Sequence, residues 1–187
     1  MQSELDRYID FLRDITAEQL PDDLMLPLLV EQARIAVGRG VALPPEQRFA
    51  TGRKQGRHLL YEDESTGFVV VGRVWPKGAD SAPHDHGTWG LAAVLEGALE
   101  ITEYEPEPHD RGLSVSDTFV ARPGDVAVVL PPDRDLHRIR NVHDGLSISL
   151  HVYGKGIETC EVVDAQTGAS ETVTPTYLTD CRESALA

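Results

Sequence analysis

A run of short apolar segments, each closed by turn-forming residues, occupies most of this chain from residue 57 to residue 156. HLLY, FVVVGRVW, TWGLAAVL, ALEITEYE, VAVVL, HRIR and LSISLHVY read as strands, and ESTG, PKGAD, EG, EPEPHDRG, RPGD, PPDRD and NVHDG as the turns between them. Many short strands without intervening helices can bury their apolar faces only in a sandwich, jelly roll or barrel. Beyond Gly156, IETCEVVD and ETVTPTY are expected to add a strand or two, and the closing RESALA to fray.

The first fifty residues have a different period. Leu5, Ile9 and Leu12 recur at helical spacing, with Asp6, Arg7, Asp10 and Arg13 on the other faces. Pro21 interrupts this pattern, and a second helix is expected from Asp22 to Val37 with Leu28, Leu29, Gln32, Ala33 and Ala36 in register. Pro27 is expected in its first turn, where a missing N–H is tolerated. Gly38-Arg39-Gly40 supplies a stop, and VALPPEQRF a linker. Two helices this short cannot bury a core alone. The expectation is therefore one domain over residues 1–187: a helical segment (1–50) packed on a β-barrel (51–175), with a tail (176–187).

The formal net charge of −14 repels phosphate backbones and anionic headgroups, which argues against nucleic-acid and membrane partners. A small anionic substrate would also be repelled at long range, so binding one requires a local basic anchor inside a pocket. The apolar runs are too short to span a bilayer. The start, MQSELDRYIDFLRD, has no apolar signal core, so the cytoplasm is the expected compartment. The two cysteines, Cys160 and Cys181, form no CxxC and are expected to be reduced thiols.

Three of the seven histidines form a pattern. His84 and His86 flank Asp85 in PHDHGTWG. On a strand, residues two apart share a face at about 6–7 Å, close enough for two imidazoles to share a metal. His137, in DLHRIRN, starts a later strand that a barrel can bring alongside. Imidazole suits iron, zinc, copper or nickel, and three such ligands leave part of the coordination sphere open. A lone histidine on a strand is more often structural, and a bare HxH is a weak signal. His109 and His143 read as solvated loop residues.

LSISLHVYG alternates cleanly. Leu146, Ile148, Leu150 and Val152 share one face; Ser147, Ser149, His151 and Tyr153 share the other. The polar face either meets water or lines the barrel interior. In the second case Ser149, His151 and Tyr153 could form a chain of hydrogen bonds.

The spacing Gly78, His84, His86, Gly90, Gly97 resembles the first cupin motif, with Gly90 where that motif usually has glutamate. Gly124, Pro131, His137 and Asn141 resemble the second. With SLHVYG, these residues resemble the cysteine dioxygenase family of thiol dioxygenases over roughly Arg57 to Gly156. The resemblance implies a mainly β, cupin double-stranded β-helix (a jelly-roll barrel) with the two helices packed against it. It implies an Fe(II) ion on His84, His86 and His137, and Ser149, His151 and Tyr153 as an outer relay. It implies Arg57 as anchor for the carboxylate of a small thiol acid, and O2 as cosubstrate. Strand alternation leaves open whether Arg57 or His58 enters the pocket.

Some family members cross-link a cysteine after the HxH to the tyrosine, which neither Gly90 nor Leu91 can do. Relatives acting on 3-mercaptopropionate tend to use an arginine after the tyrosine strand, and GKGIETCEV has none. The expected reaction is therefore dioxygenation of a thiol acid, with L-cysteine favoured over 3-mercaptopropionate or mercaptosuccinate. Trp89 could shape the pocket mouth or be ordinary core. A metal-binding cupin that senses a ligand without turnover, and a zinc or nickel cupin acting as isomerase or hydrolase, stay open. Oligomeric state is not legible.

Overall fold

A computed structural model describes residues 2–107 and 112–184. The chain begins with α1 (Glu4–Ala17), opened by a capping box in which Ser3 and Asp6 each accept the other's backbone N–H at 3.1 Å. Helix α2 (Asp22–Gly38) follows. It ends in a Schellman turn, with Gly40 N–H donating to Val37 and Val41 N–H to Ala36; Gly40, at φ +84°, supplies the left-handed residue. Two details differ from the sequence expectation. Pro27 lies inside α2 rather than in its first turn, because the helix already begins at Asp22; the carbonyl of the exposed Asp23 loses its usual donor. The buried stripe is Met25, Leu26, Leu29, Ala33 and Ala36, while Leu28 is exposed.

Eleven strands follow among the described residues: β1 (Gly56–Glu62), β2 (Val69–Trp75), β3 (Gly90–Glu96), β4 (Leu99–Pro106), β5 (Leu113–Ala121), β6 (Val126–Val129), β7 (His137–Asn141), β8 (Ser147–Tyr153), β9 (Cys160–Val163), β10 (Ser170–Val173) and β11 (Thr179–Asp180). A short α3 (Cys181–Ser184) closes the described chain. One sheet has the order β11-β1-β2-β8-β3-β6, a second β5-β4-β7, and β9 pairs with β10. Strand β5 is missing from the sequence reading. It is an edge strand, mostly exposed, and Asp117 breaks its apolar alternation. The tail contributes β11, which pairs in parallel with β1, and the first residues of RESALA lie in α3.

The two sheets face each other in the jelly-roll arrangement of the cupin fold. Trp75, Val94 and Ala127 of the large sheet meet Leu99, Ile101, Ala121 and Ile139 of the small one in an interior core. The outer face of the large sheet meets the helices: Val70, Val74, Leu91, Ala93, Ile148, Leu150 and Val152 pack with Tyr8, Leu12, Leu29 and Ala33. Every residue of β2 and β8 is therefore buried. Gly72 fits this packing because a Cβ there would collide with Leu43. No helix among the described residues is long and apolar enough to cross a membrane.

Candidate metal centre

The large sheet sorts its side chains by parity. On β2 and β8, Val70, Val74, Ile148, Leu150 and Val152 point to the helices. Their neighbours point to the interior, and the register sets them side by side: Arg57 beside Arg73, Arg73 beside Ser149, Val71 beside His151, and Val69 beside Tyr153. The polar face of LSISLHVY thus lies inside, and the helices cover its aliphatic face.

His84 and His86 lie on the approach to β3, and His137 opens β7. Backbone bonds from His84 N–H to the His137 carbonyl (3.0 Å) and from His137 N–H to the His84 carbonyl (3.1 Å) clamp the two segments together. All three imidazoles are buried, their ring centroids are 4.7–4.9 Å apart, and one ring nitrogen from each lies within 4.8 Å of the others. The outer nitrogens of His84 and His86 are engaged. His84 Nδ1 is 2.9 Å from the Ala82 carbonyl, which can only accept, so it carries the proton. His86 Nδ1 is 3.0 Å from Asp135 Oδ1, and the same carboxylate accepts the backbone N–H of His86 and Gly87. The inner Nε2 atoms of His86 and His137 are buried without any protein partner. Burial, followed by the neighbouring His86, pushes His84 down to about 3. Burial also pushes His137 well below its ordinary range. Three clustered imidazoles, two of them with buried ring nitrogens that no protein group occupies, suit a first-row transition metal.

Beside the triad, Trp75 Nε1–H donates to Ser149 Oγ at 2.9 Å; Ser149 Oγ is 2.8 Å from His151 Nε2, and His151 Nδ1 is 3.0 Å from the Tyr153 hydroxyl. Indole nitrogen only donates. The buried Ser149 hydroxyl therefore finds an acceptor for its proton in His151 Nε2. The imidazole then carries its proton on Nδ1 and donates to Tyr153, which leaves the phenolic proton free to point elsewhere. Burial, and after it the Arg73 charge, holds His151 neutral. The Tyr153 ring stacks on His86 at 5.4 Å between centroids. Gly90, directly across from Tyr153 in the β3–β8 pair, makes room for that ring: a Cβ at residue 90 would lie 2.7 Å from Tyr153 Cδ1.

A cavity of about 400 Å³ reaches His84, His86 and Tyr153, with Arg57, Arg73 and Cys160 on its walls. Arg57 faces this cavity. His58 points to the opposite side, where its ring nitrogens engage the Phe49 carbonyl (2.8 Å) and Thr179 Oγ1 (2.9 Å). Arg57 stacks over Tyr177, its guanidinium carbon 4.6 Å from the ring centroid. Burial raises the Cys160 thiol, and both cysteines are free. Trp89 packs on the helix side, against the outer core and Gly154, not on the cavity wall. His143 is exposed, and His109 lies outside the described residues. The sequence reading overlooked Asp135, Trp75 and Arg73. Asp135 sits two residues before His137 and could have been singled out on that ground; Arg73 was hidden inside the apolar run FVVVGRVW.

Fold and site together define a cupin whose interior carries a three-histidine constellation fit to hold a metal. A family model described as cysteine dioxygenase type I matches residues 51–166, and the chain belongs to that family. It is 29% identical to cysteine dioxygenase type 1 of Homo sapiens over 119 residues, an alignment covering 62% of this chain and 59% of the relative. It is 28% identical to the Danio rerio protein over 120 residues, with the same coverage. The chain thus aligns with about three fifths of the length of these curated relatives. Among solved structures, a conserved protein with a double-stranded β-helix domain from Klebsiella pneumoniae aligns at TM-score 0.49 and 16% identity, covering 72% of this chain and 89% of that one.

Proposed function

We propose that this chain is an iron-dependent thiol dioxygenase acting on a small thiol carboxylate, with L-cysteine, the substrate in its relatives' name, as the first to be tried. The reaction is R–SH + O2 → R–SO2H. Sulfur gives up four electrons, both oxygen atoms end on sulfur, and the thiol proton leaves or stays with the sulfinic acid. The observation that carries the reading is the pair of buried, unpartnered Nε2 atoms of His86 and His137 facing His84, next to a cavity walled by Arg57.

His84, His86 and His137 would hold the ion. Bound there, ferrous iron supplies the redox-active centre at which thiolate and dioxygen meet. The other residues do the positioning. Arg57, whose buried Nε and Nη1 lack any protein partner, would bind the substrate carboxylate. The Ser149–His151 chain leaves the Tyr153 proton available to a substrate oxygen. Burial of the triad and of Tyr153 keeps bulk water away.

The test is anaerobic loading with Fe(II), then oxygen uptake with L-cysteine, 3-mercaptopropionate and mercaptosuccinate, with the sulfinate identified by mass. One O2 consumed per sulfinate formed supports the proposal. Stoichiometric iron with no oxygen uptake on any thiol would reject it in favour of a ligand-sensing cupin.

A further inference from the structure

Arg73 has no role in the reading above, yet it occupies the same cavity as Arg57. The two residues are directly paired across β1 and β2. Each is only 7% exposed. Buried guanidinium nitrogens without a partner remain on both: Nε and Nη1 of Arg57, and Nε of Arg73. Among the described residues, no carboxylate lies within 4.0 Å of either guanidinium. Aromatic faces hold their planes, Tyr177 under Arg57 at 4.6 Å and Trp75 under Arg73 at 5.1 Å, but an aromatic face is weak compensation for a desolvated charge.

Neither acid on the cavity wall pairs with these two arginines. Asp80 pairs with Arg138, and Asp85 accepts the Glu161 N–H at 2.8 Å. Arg53 and Lys54, both exposed, add two cations at the rim. In a chain with net charge −14, this interior is a concentrated exception.

We propose that the cavity selects a thiol carrying two carboxylates, one gripped by Arg57 and the other by Arg73. Each planar guanidinium fork matches one carboxylate. A single carboxylate leaves one buried guanidinium without a counter-charge. An α-ammonium adds a further cation beside two buried guanidiniums. The proposal rests on the thiol dioxygenase reading for the thiol but not for the two anionic groups.

Two measurements keep these claims separate. The first compares kcat/KM of the iron-loaded protein for mercaptosuccinate, 3-mercaptopropionate and L-cysteine. The dicarboxylate is expected to lead by roughly tenfold or more, the usual return on a charge-assisted contact. In Arg73→Met and Arg73→Gln the ratio of dicarboxylate to monocarboxylate should fall by about the same factor. The second uses the metal-loaded protein without oxygen and compares calorimetric binding of succinate and propionate. Succinate should bind more tightly in the parent, and its advantage should vanish in both variants.

Turnover of the monocarboxylates at equal or higher efficiency, with succinate no tighter than propionate, overturns the two-carboxylate proposal and leaves dioxygenase function standing. No turnover of any thiol, with succinate still favoured through Arg73, overturns the dioxygenase reading and supports the two-anion site.

Discussion

At the scale of single residues, the site is organised by groups that touch neither ion nor substrate. Asp135 is the clearest case. It accepts three N–H groups, one from the His86 ring and two from the backbone that carries it. Burial pushes its carboxyl up, but these bonds outweigh burial and leave it below the usual range. Asp135→Asn keeps the shape and replaces an acceptor with an N–H2 that faces donors. Metal affinity is expected to fall about 10- to 100-fold, measured by competition with a chromogenic chelator. Unchanged affinity would mean that His86 is held by packing alone. Trp75 plays the equivalent part for the relay, since its indole N–H sets the direction in which Ser149 can donate.

At the scale of elements, helix α2 serves the site without approaching it. Leu29 is fully buried against the outer face of the large sheet, whose inner face carries Arg73, Ser149 and His151. Leu29→Ala is expected to cost about 2–5 kcal/mol of unfolding free energy, read from denaturant titration, while iron still binds one per chain. Loss of the bound metal in the folded variant would show that α2 sets the inner geometry directly. The helices also explain which parts of the site were legible in the sequence. The HxH spacing was plain as a motif, although His84 and His86 lie just outside β3, and the alternation of Ser149, His151 and Tyr153 was plain because period two survives in any strand. Which face of that strand looks inward was not, since the answer lies in α1 and α2, more than a hundred residues away. Arg73 escaped for a related reason: with both faces of β2 buried, its surroundings read as one apolar run rather than an alternation. Strand β5 escaped because its exposed edge position demands little apolar content. The choice between Arg57 and His58 hung on one residue of register, and the partners of His58, Phe49 and Thr179, are fixed only by the folded chain.

At the scale of the whole molecule, the buried imidazoles tie stability to pH. His84 is held near 3, and His137 and His151 also lie below the ordinary value of 6.5. As pH falls, the unfolded chain takes up these protons before the folded one does. Their contribution is complete above about pH 6.5 and is lost as pH drops toward the folded-state values, at up to about 1.4 kcal/mol per pH unit for each ring. The midpoint temperature of the metal-free protein should therefore decline steadily from pH 6.5 to 4, and a flat profile would contradict neutral burial of the rings. The large sheet has a second molecular consequence. It is a party wall with dry storage on one side and a workshop on the other. A one-residue deletion in the turn before β8 that slid the strand would hand the tools to the storeroom and oil to the workshop. Such a chain would lose its footing and its chemistry together, so this turn should tolerate exchange of residues far better than change of length.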